Sequence, residues 1–140
     1  MVLAPGLTLL AAVSQAMAGL GWGSATLLIL GGPMARAVFH TSVLTPGGPR
    51  WIDYGPPREV PDAWLVMGSA TFGRGPGGED VLHCHAMLAG PDAAPAGGHL
   101  SPLDCVIGPD GLVAHAASAE GAGFAVRHDT ATGFDLLTPA

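Results

Sequence analysis

The stretch 81-VLHCHAMLAGPDAAPAGGHL-100 decides how this chain is read, because it holds three of the six histidines. Two of them, His83 and His85, stand one residue apart in an apolar run. In an extended strand, side chains at i and i+2 share a face, roughly 6.5 to 7 Å apart along the backbone. Two imidazoles so placed can converge on one ion at about 2.0 to 2.1 Å per Zn–N bond. Cys84, between them, must face the other way and reads as a core residue. His99 follows after a reversal at 90-GPDAAPA-96, behind Gly97-Gly98, a pair that lets backbone come close where a Cβ would obstruct it. The expectation is a three-imidazole site for a divalent ion, zinc by ligand preference, at His83, His85 and His99. Such a site leaves one coordination position open to water, a substrate or a small anion.

The strand carrying His83 and His85 is expected over 80–88, paired through the Gly-rich connection 74-RGPGGE-79 with a strand over 63–73. Upstream, Leu9, Leu10, Val13, Met17 and Leu20 fall at helical spacing, which predicts an amphipathic helix over 7–20 after a Pro5-Gly6 turn. The run 24-SATLLIL-30 reads as a strand covered on both faces and stopped by Gly31-Gly32-Pro33. A second strand is expected over 35–44, then a long proline-rich loop over 45–62, able to cover a site. Weaker strands are expected over 103–108, 112–118 and 123–129. The fold class that results is α+β: a single domain over 1–140, a central and mostly antiparallel sheet with flanking helices.

Composition narrows the function. Nearly half of the 140 residues are apolar, enough for a core without disulfides, while 22 glycines and 13 prolines favour many short elements. Cys84 and Cys105 read as reduced, buried thiols, which suits a cytoplasmic protein. The net charge is −6 and the five basic residues, all arginine, are dispersed. Direct nucleic-acid binding needs converging cations and is not expected. Residues 1–30 carry no charge, and Ala16-Met17-Ala18 looks like a cleavage site, but a secretory signal would need a basic residue ahead of its apolar core. Gly19, Gly21 and Gly23 interrupt the run before it could span a bilayer, so no membrane association is expected.

Outside the cluster the chemistry is sparse. His40, His115 and His128 lack a companion at ligand spacing and read as structural or surface residues. Glu79 and Asp80 could orient an imidazole, and Glu79, Asp80 or His115 could act as general acid or base. Arg127, Asp129, Asp135 and Glu120 read as a solvated face.

Two families arrange histidines comparably. The cupins also use HxH with a later Pro-x-Gly-x-x-His. Here 95-PAGGH-99 is one residue short, the gap between motifs is much shorter, and the acid after HxH is missing. The closer resemblance is to the plant and prokaryote conserved domain, PPC or PCC, through Leu-His-x-His, a turn with Asp, and Gly-Gly-His-Leu. It extends to 2-VLAPG-6 ahead of the helix, to the hairpin 65-LVMGSATFGRGPGGEDVLHCHAML-88 and to the tail 121-GAGFAVRHDTATGFDLL-137. The resemblance implies a compact α+β domain assembled as a homotrimer, with a divalent ion, zinc, on His83, His85 and His99. Plant members carry an AT-hook, Arg-Gly-Arg-Pro, that enters the minor groove; none occurs here, so the family's DNA-binding label does not extend to autonomous binding by this chain. Many members also place a Glu in the strand after GGHL, where this chain has only Asp104 and Asp110 nearby. The expected function is therefore a small oligomeric binding or regulatory module with a three-histidine zinc site, associating with itself, a protein partner or a small-molecule ligand. The alternative is a zinc-dependent hydrolase or lyase.

Overall fold

In the computed structural model, which describes residues 1–119 and 121–140, strand is the predominant structure. The one helix among the described residues, α1 (Leu9–Leu20), starts two residues later than its periodicity suggests, because Thr8 stays extended and its Oγ1 accepts from the Ala11 amide at 3.2 Å. Such a cap contributes about 1 kcal/mol. Gly21, at φ 70°, ends the helix, its amide and that of Trp22 returning to the Ala18 and Met17 carbonyls. Leu9, Val13 and Met17 are buried as the spacing requires, whereas Leu20 is exposed. The expected flanking helices in the plural are not found among the described residues: α1 alone covers the sheet, packing against β1 (Val2–Leu3) and β6 (Asp80–Ala89). The domain is sheet-dominated. At twelve residues α1 is too short to cross a membrane, and no described helix is long and apolar enough to do so.

The largest correction concerns β2 (Ala25–His40). Gly31-Gly32-Pro33 does not stop it; β2 passes through with a register shift between Ile29 and Gly31 and pairs along its length with β5 (Arg58–Arg74). A bulge is where a sheet tolerates proline. Nor is 24–30 covered on both faces: Ala25, Leu27 and Ile29 are buried while Leu28 and Leu30 are exposed. The strand expected over 35–44 is split at Thr41. Its second part becomes β3 (Ser42–Leu44), paired with β4 (Ile52–Tyr54) in a separate two-stranded sheet. The proline-rich segment 45–62 therefore holds β4 and the start of β5.

On its other edge β2 meets β9 (Leu112–Ser118), β8 (Val106–Ile107) and, at Phe39 and His40, β7 (Pro95–Leu100). The expected strand over 103–108 shrinks to β8, since 101–104 fold into a turn in which the Asp104 and Cys105 amides donate to the Ser101 carbonyl. β5 pairs with β6, and β6 with β7. The pairings β2–β5, β5–β6, β6–β7 and β7–β2 return to their starting strand, so this part of the sheet closes on itself. Phe39, Leu65, Phe72, Leu82, Cys84, Leu88 and Leu100 contribute to the core. Outside the closure, β10 (Phe124–Asp129) joins β5 by one parallel pair, Ala125 opposite Arg74, and forms a hairpin with β11 (Phe134–Pro139), a strand the sequence reading had not anticipated.

Candidate metal centre

His83 and His85 project from one face of β6, as alternation demands, while Cys84 is fully buried on the other. His99 does not sit in a turn. It lies on β7 directly opposite His85, so cross-strand pairing and not a softened bend delivers the third ring. Gly97 and Gly98 serve this pairing: at φ 141° and 149°, a Cβ on them would meet the Ala86 carbonyl at 2.2 Å and the His40 carbonyl at 2.3 Å. Only glycine lets β7 lie between β6 and β2 at this point.

The three rings form a closed triangle, with centroids 4.9 Å (His83–His85), 4.7 Å (His83–His99) and 5.1 Å (His85–His99) apart. His85 Nε2 is 3.0 Å from His83 Nε2 and 3.5 Å from His99 Nδ1. Two nitrogens on a tetrahedral ion with bonds of about 2.05 Å would be about 3.3 Å apart. The observed separations bracket that value, and one nitrogen from each residue lies within 4.8 Å of the others. The donor set therefore fits a borderline ion that accepts imidazole, as zinc does.

The electrostatics favour the same use. Burial lowers the His99 pKa to about 4, with His83, His85 and His40 adding repulsion. Burial, then His85, also lowers His83. Both rings are neutral near pH 7, the state that donates a lone pair. A folded-state pKa below the ordinary 6.5 means that the unfolded chain binds more protons between these values, so stability rises with pH there. Metal-free protein should keep this contribution above about pH 6.5 and lose it as pH falls towards 4. Urea midpoints at pH 7 and 4.5 should show the drop, and His99→Ala should reduce it relative to wild type.

The other sequence candidates lie elsewhere. The Glu79 carboxylate accepts the Gly77 amide at 2.9 Å within its turn, and Asp80 pairs with Arg74 on the face of β6 opposite His83. His115 is exposed on β9, opposite Leu28. Neither the second-sphere role for Glu79 or Asp80 nor an acid–base role for any of the three finds support in this placement. His40 is the cross-strand partner of His99 on β2, but its Nδ1 bonds the Gly55 carbonyl at 2.8 Å and it stands outside the group. Arg127 and Asp135 are exposed as expected, Asp135 meeting His128 Nδ1 at 2.9 Å. Asp129 is half-buried and caps its turn through Thr132 and Ala131; Glu120 lies outside the described residues.

Tyr54 was missed. It comes from β4, within the proline-rich segment, and its ring lies 4.8 Å from His99 and 5.6 Å from Phe134. Nothing in the sequence around Tyr54 marks it, because the contact depends on where the β3–β4 hairpin lands. The segment expected to cover the site does reach it, through this one ring.

The chain matches no protein-family model and no curated protein. Its fold does match solved structures. A candidate DNA-binding protein from Ralstonia eutropha JMP134 superposes with a TM-score of 0.77 at 18% identity, over 99% of this chain and 88% of that one. A metal-containing protein from Archaeoglobus fulgidus gives 0.74 at 18% identity, over 99% and 90%. A plant- and prokaryote-conserved (PPC) protein from Pyrococcus horikoshii gives 0.74 at 16% identity, over 99% and 88%. At these identities the likeness is one of fold, and the chain has the fold of the PPC domain.

Proposed function

We propose that this chain is a small binding or regulatory module whose His83, His85 and His99 hold one zinc ion, and that it works as a homotrimer. The observation that carries the reading is the spacing of the three imidazole nitrogens, 3.0 and 3.5 Å about His85. The metal-containing protein from Archaeoglobus fulgidus, with the same fold, adds to it. A bound zinc would supply a Lewis-acidic position. The chain's own contribution is to hold three neutral rings in place on paired strands.

The trimer is supported by an apolar sheet face that one chain leaves in water. Leu30 is 53% and Met87 61% exposed, with Leu28, Trp64, Met67 and Val113 also exposed. Faces of this kind mark association sites. Two free, buried thiols suit a reducing compartment, consistent with a cytoplasmic location. The DNA-binding description of the Ralstonia neighbour is not carried over, since a net charge of −6 and five dispersed arginines offer phosphates no converging cations. A zinc-dependent hydrolase or lyase is the second reading, favoured by a cleft that opens on His83 and His99. The positions of Glu79, Asp80 and His115 weigh against it.

The test is metal and mass analysis of protein purified without chelators. About one zinc per chain and the mass of three chains are expected. Protein free of metal that also fails to take up added zinc would overturn the reading. Mobility-shift assays at physiological salt should show no shift of duplex DNA by the protein alone.

A further inference from the structure

A pocket of about 350 Å³ lies where the tip of the β3–β4 hairpin meets the turn between β10 and β11, and none of the three clustered histidines lines it. Pro49, Trp51, Ile52 and Phe134 make its walls predominantly apolar, and Arg50 is the charged member. The guanidinium carbon of Arg50 stands 4.4 Å from the centroid of the Phe134 ring, and its stem runs past Gly133, where an added Cβ would meet Cγ, Cδ and Nε at 3.5 Å. Phe134 is braced in turn by Tyr54, edge-on at 5.6 Å between centroids. The cation is thus held at the pocket. Asp53, 3.6 Å from its Nη1, forms an ion pair beyond hydrogen-bond reach, so among the described residues the five N–H donors of the guanidinium make no hydrogen bond. Trp51 is 66% exposed, which leaves most of its indole uncovered.

We infer that this pocket binds a planar aromatic monocarboxylate, of the size of benzoate or cinnamate. A carboxylate pairs with a guanidinium through two parallel N–H···O bonds, which employs donors otherwise left to water. A ring stacked on Trp51 and lying against Ile52 buries apolar surface that the chain alone leaves wet. At about 30 Å³ per water-sized unit the space holds roughly eleven or twelve non-hydrogen atoms, so cinnamate nearly fills it. One guanidinium matches a single negative charge. Asp53 beside it, and Asp129, which holds Ala131 and Thr132, oppose a dianion such as a phosphate monoester. No part of the pocket belongs to the metal centre, so binding here needs no zinc.

The test titrates the full chain with benzoate, cinnamate, cyclohexanecarboxylate, acetate and benzyl alcohol, followed by nuclear magnetic resonance, once after zinc loading and once after treatment with a chelator. Benzoate should bind at least about ten-fold more tightly than acetate, which lacks the ring, and than benzyl alcohol, which lacks the charge. Cyclohexanecarboxylate, equal in charge and similar in bulk but without a flat π face, should bind about two- to ten-fold more weakly than benzoate. Arg50→Gln should weaken benzoate about ten-fold or more. Trp51→Ala, which alters an exposed ring, should weaken it about ten-fold and keeps the test decisive if loss of Arg50 disturbs the hairpin. Zinc-loaded and chelator-treated protein should bind alike. No binding of benzoate or cinnamate, equal binding of benzoate and acetate, or an affinity untouched by both variants would overturn the pocket and leave the metal centre standing. Binding that requires zinc would place the acid on the ion and overturn the pocket equally.

Discussion

Gly98→Ala is expected to destabilise the protein by about 2 to 6 kcal/mol, combining backbone strain of roughly 1–3 kcal/mol with a steric overlap of similar size. The backbone at Gly98 holds φ 149°, and an added Cβ would stand 2.3 Å from the His40 carbonyl oxygen and 3.5 Å from Phe39 Cδ2. The first obstacle is main chain, so it cannot swing aside as a flexible side chain could. Relief requires β7 to move off β2, which undoes the pairing of Phe39 with Leu100 and of His40 with His99. Since His99 is the neighbouring residue, the same movement disperses the imidazole triangle. Urea denaturation of metal-free protein measures the first effect and zinc uptake the second. Gly19→Ala is the control. Gly19 lies in α1 with nothing within 4 Å of the added carbon, and there alanine should stabilise by about 0.5–1 kcal/mol. A Gly98→Ala protein as stable as wild type would mean that β7 does not lie where it is described.

His99→Ala is expected to lower zinc affinity by at least about 100-fold, beyond the 10- to 100-fold typical of losing a mere supporting contact to a ligand. Two imidazoles remain on β6, 3.0 Å apart at their Nε2 atoms, and a pair without a third donor leaves the ion mostly hydrated. The fold should survive, because His99 contributes a half-buried ring and its strand neighbour Leu100 provides the core contact. Competition against a chelating dye reads the affinity, and unchanged far-ultraviolet circular dichroism confirms the fold. Equal affinity in wild type and variant would remove His99 from the centre. His115→Ala, altering an exposed residue of β9, should leave affinity unchanged.

The parts of this structure legible in the sequence are those set by short-range periodicity. Alternation put His83 and His85 on one face and Cys84 on the other, and the 3.6-residue spacing put Leu9, Val13 and Met17 in the core. The strands over 80–88 and 112–118 were legible for the same reason. What escaped depends on partners distant in the chain. Pro95, Gly97 and Gly98 look like turn residues, yet they begin a strand. Proline is tolerated at its first position, and the glycines are needed because carbonyls from β6 and β2 press in from both sides. Gly31-Gly32-Pro33 misleads in the same way. A Cβ on Gly32 would meet the Gly111 carbonyl at 2.5 Å, so its glycine records a close neighbour and not an ending. Tyr54 was invisible because its ring reaches His99 only after two proline-flanked strands have paired. The three histidines do come together, but the bend expected to deliver the last of them is a strand.

Cys84 sits between two histidines and yet takes no part in their chemistry. Burial, with Cys105 nearby, pushes its thiol up to about 12, and burial raises Cys105 as well. At neutral pH neither sulfur is a competent nucleophile while the strands stay paired. The molecule thus carries a built-in clock. Alkylating reagents mark Cys84 only in the moments when β6 peels open, so the pace of labelling counts those moments, and an ion clasped on the strand's opposite side would slow the count without touching sulfur.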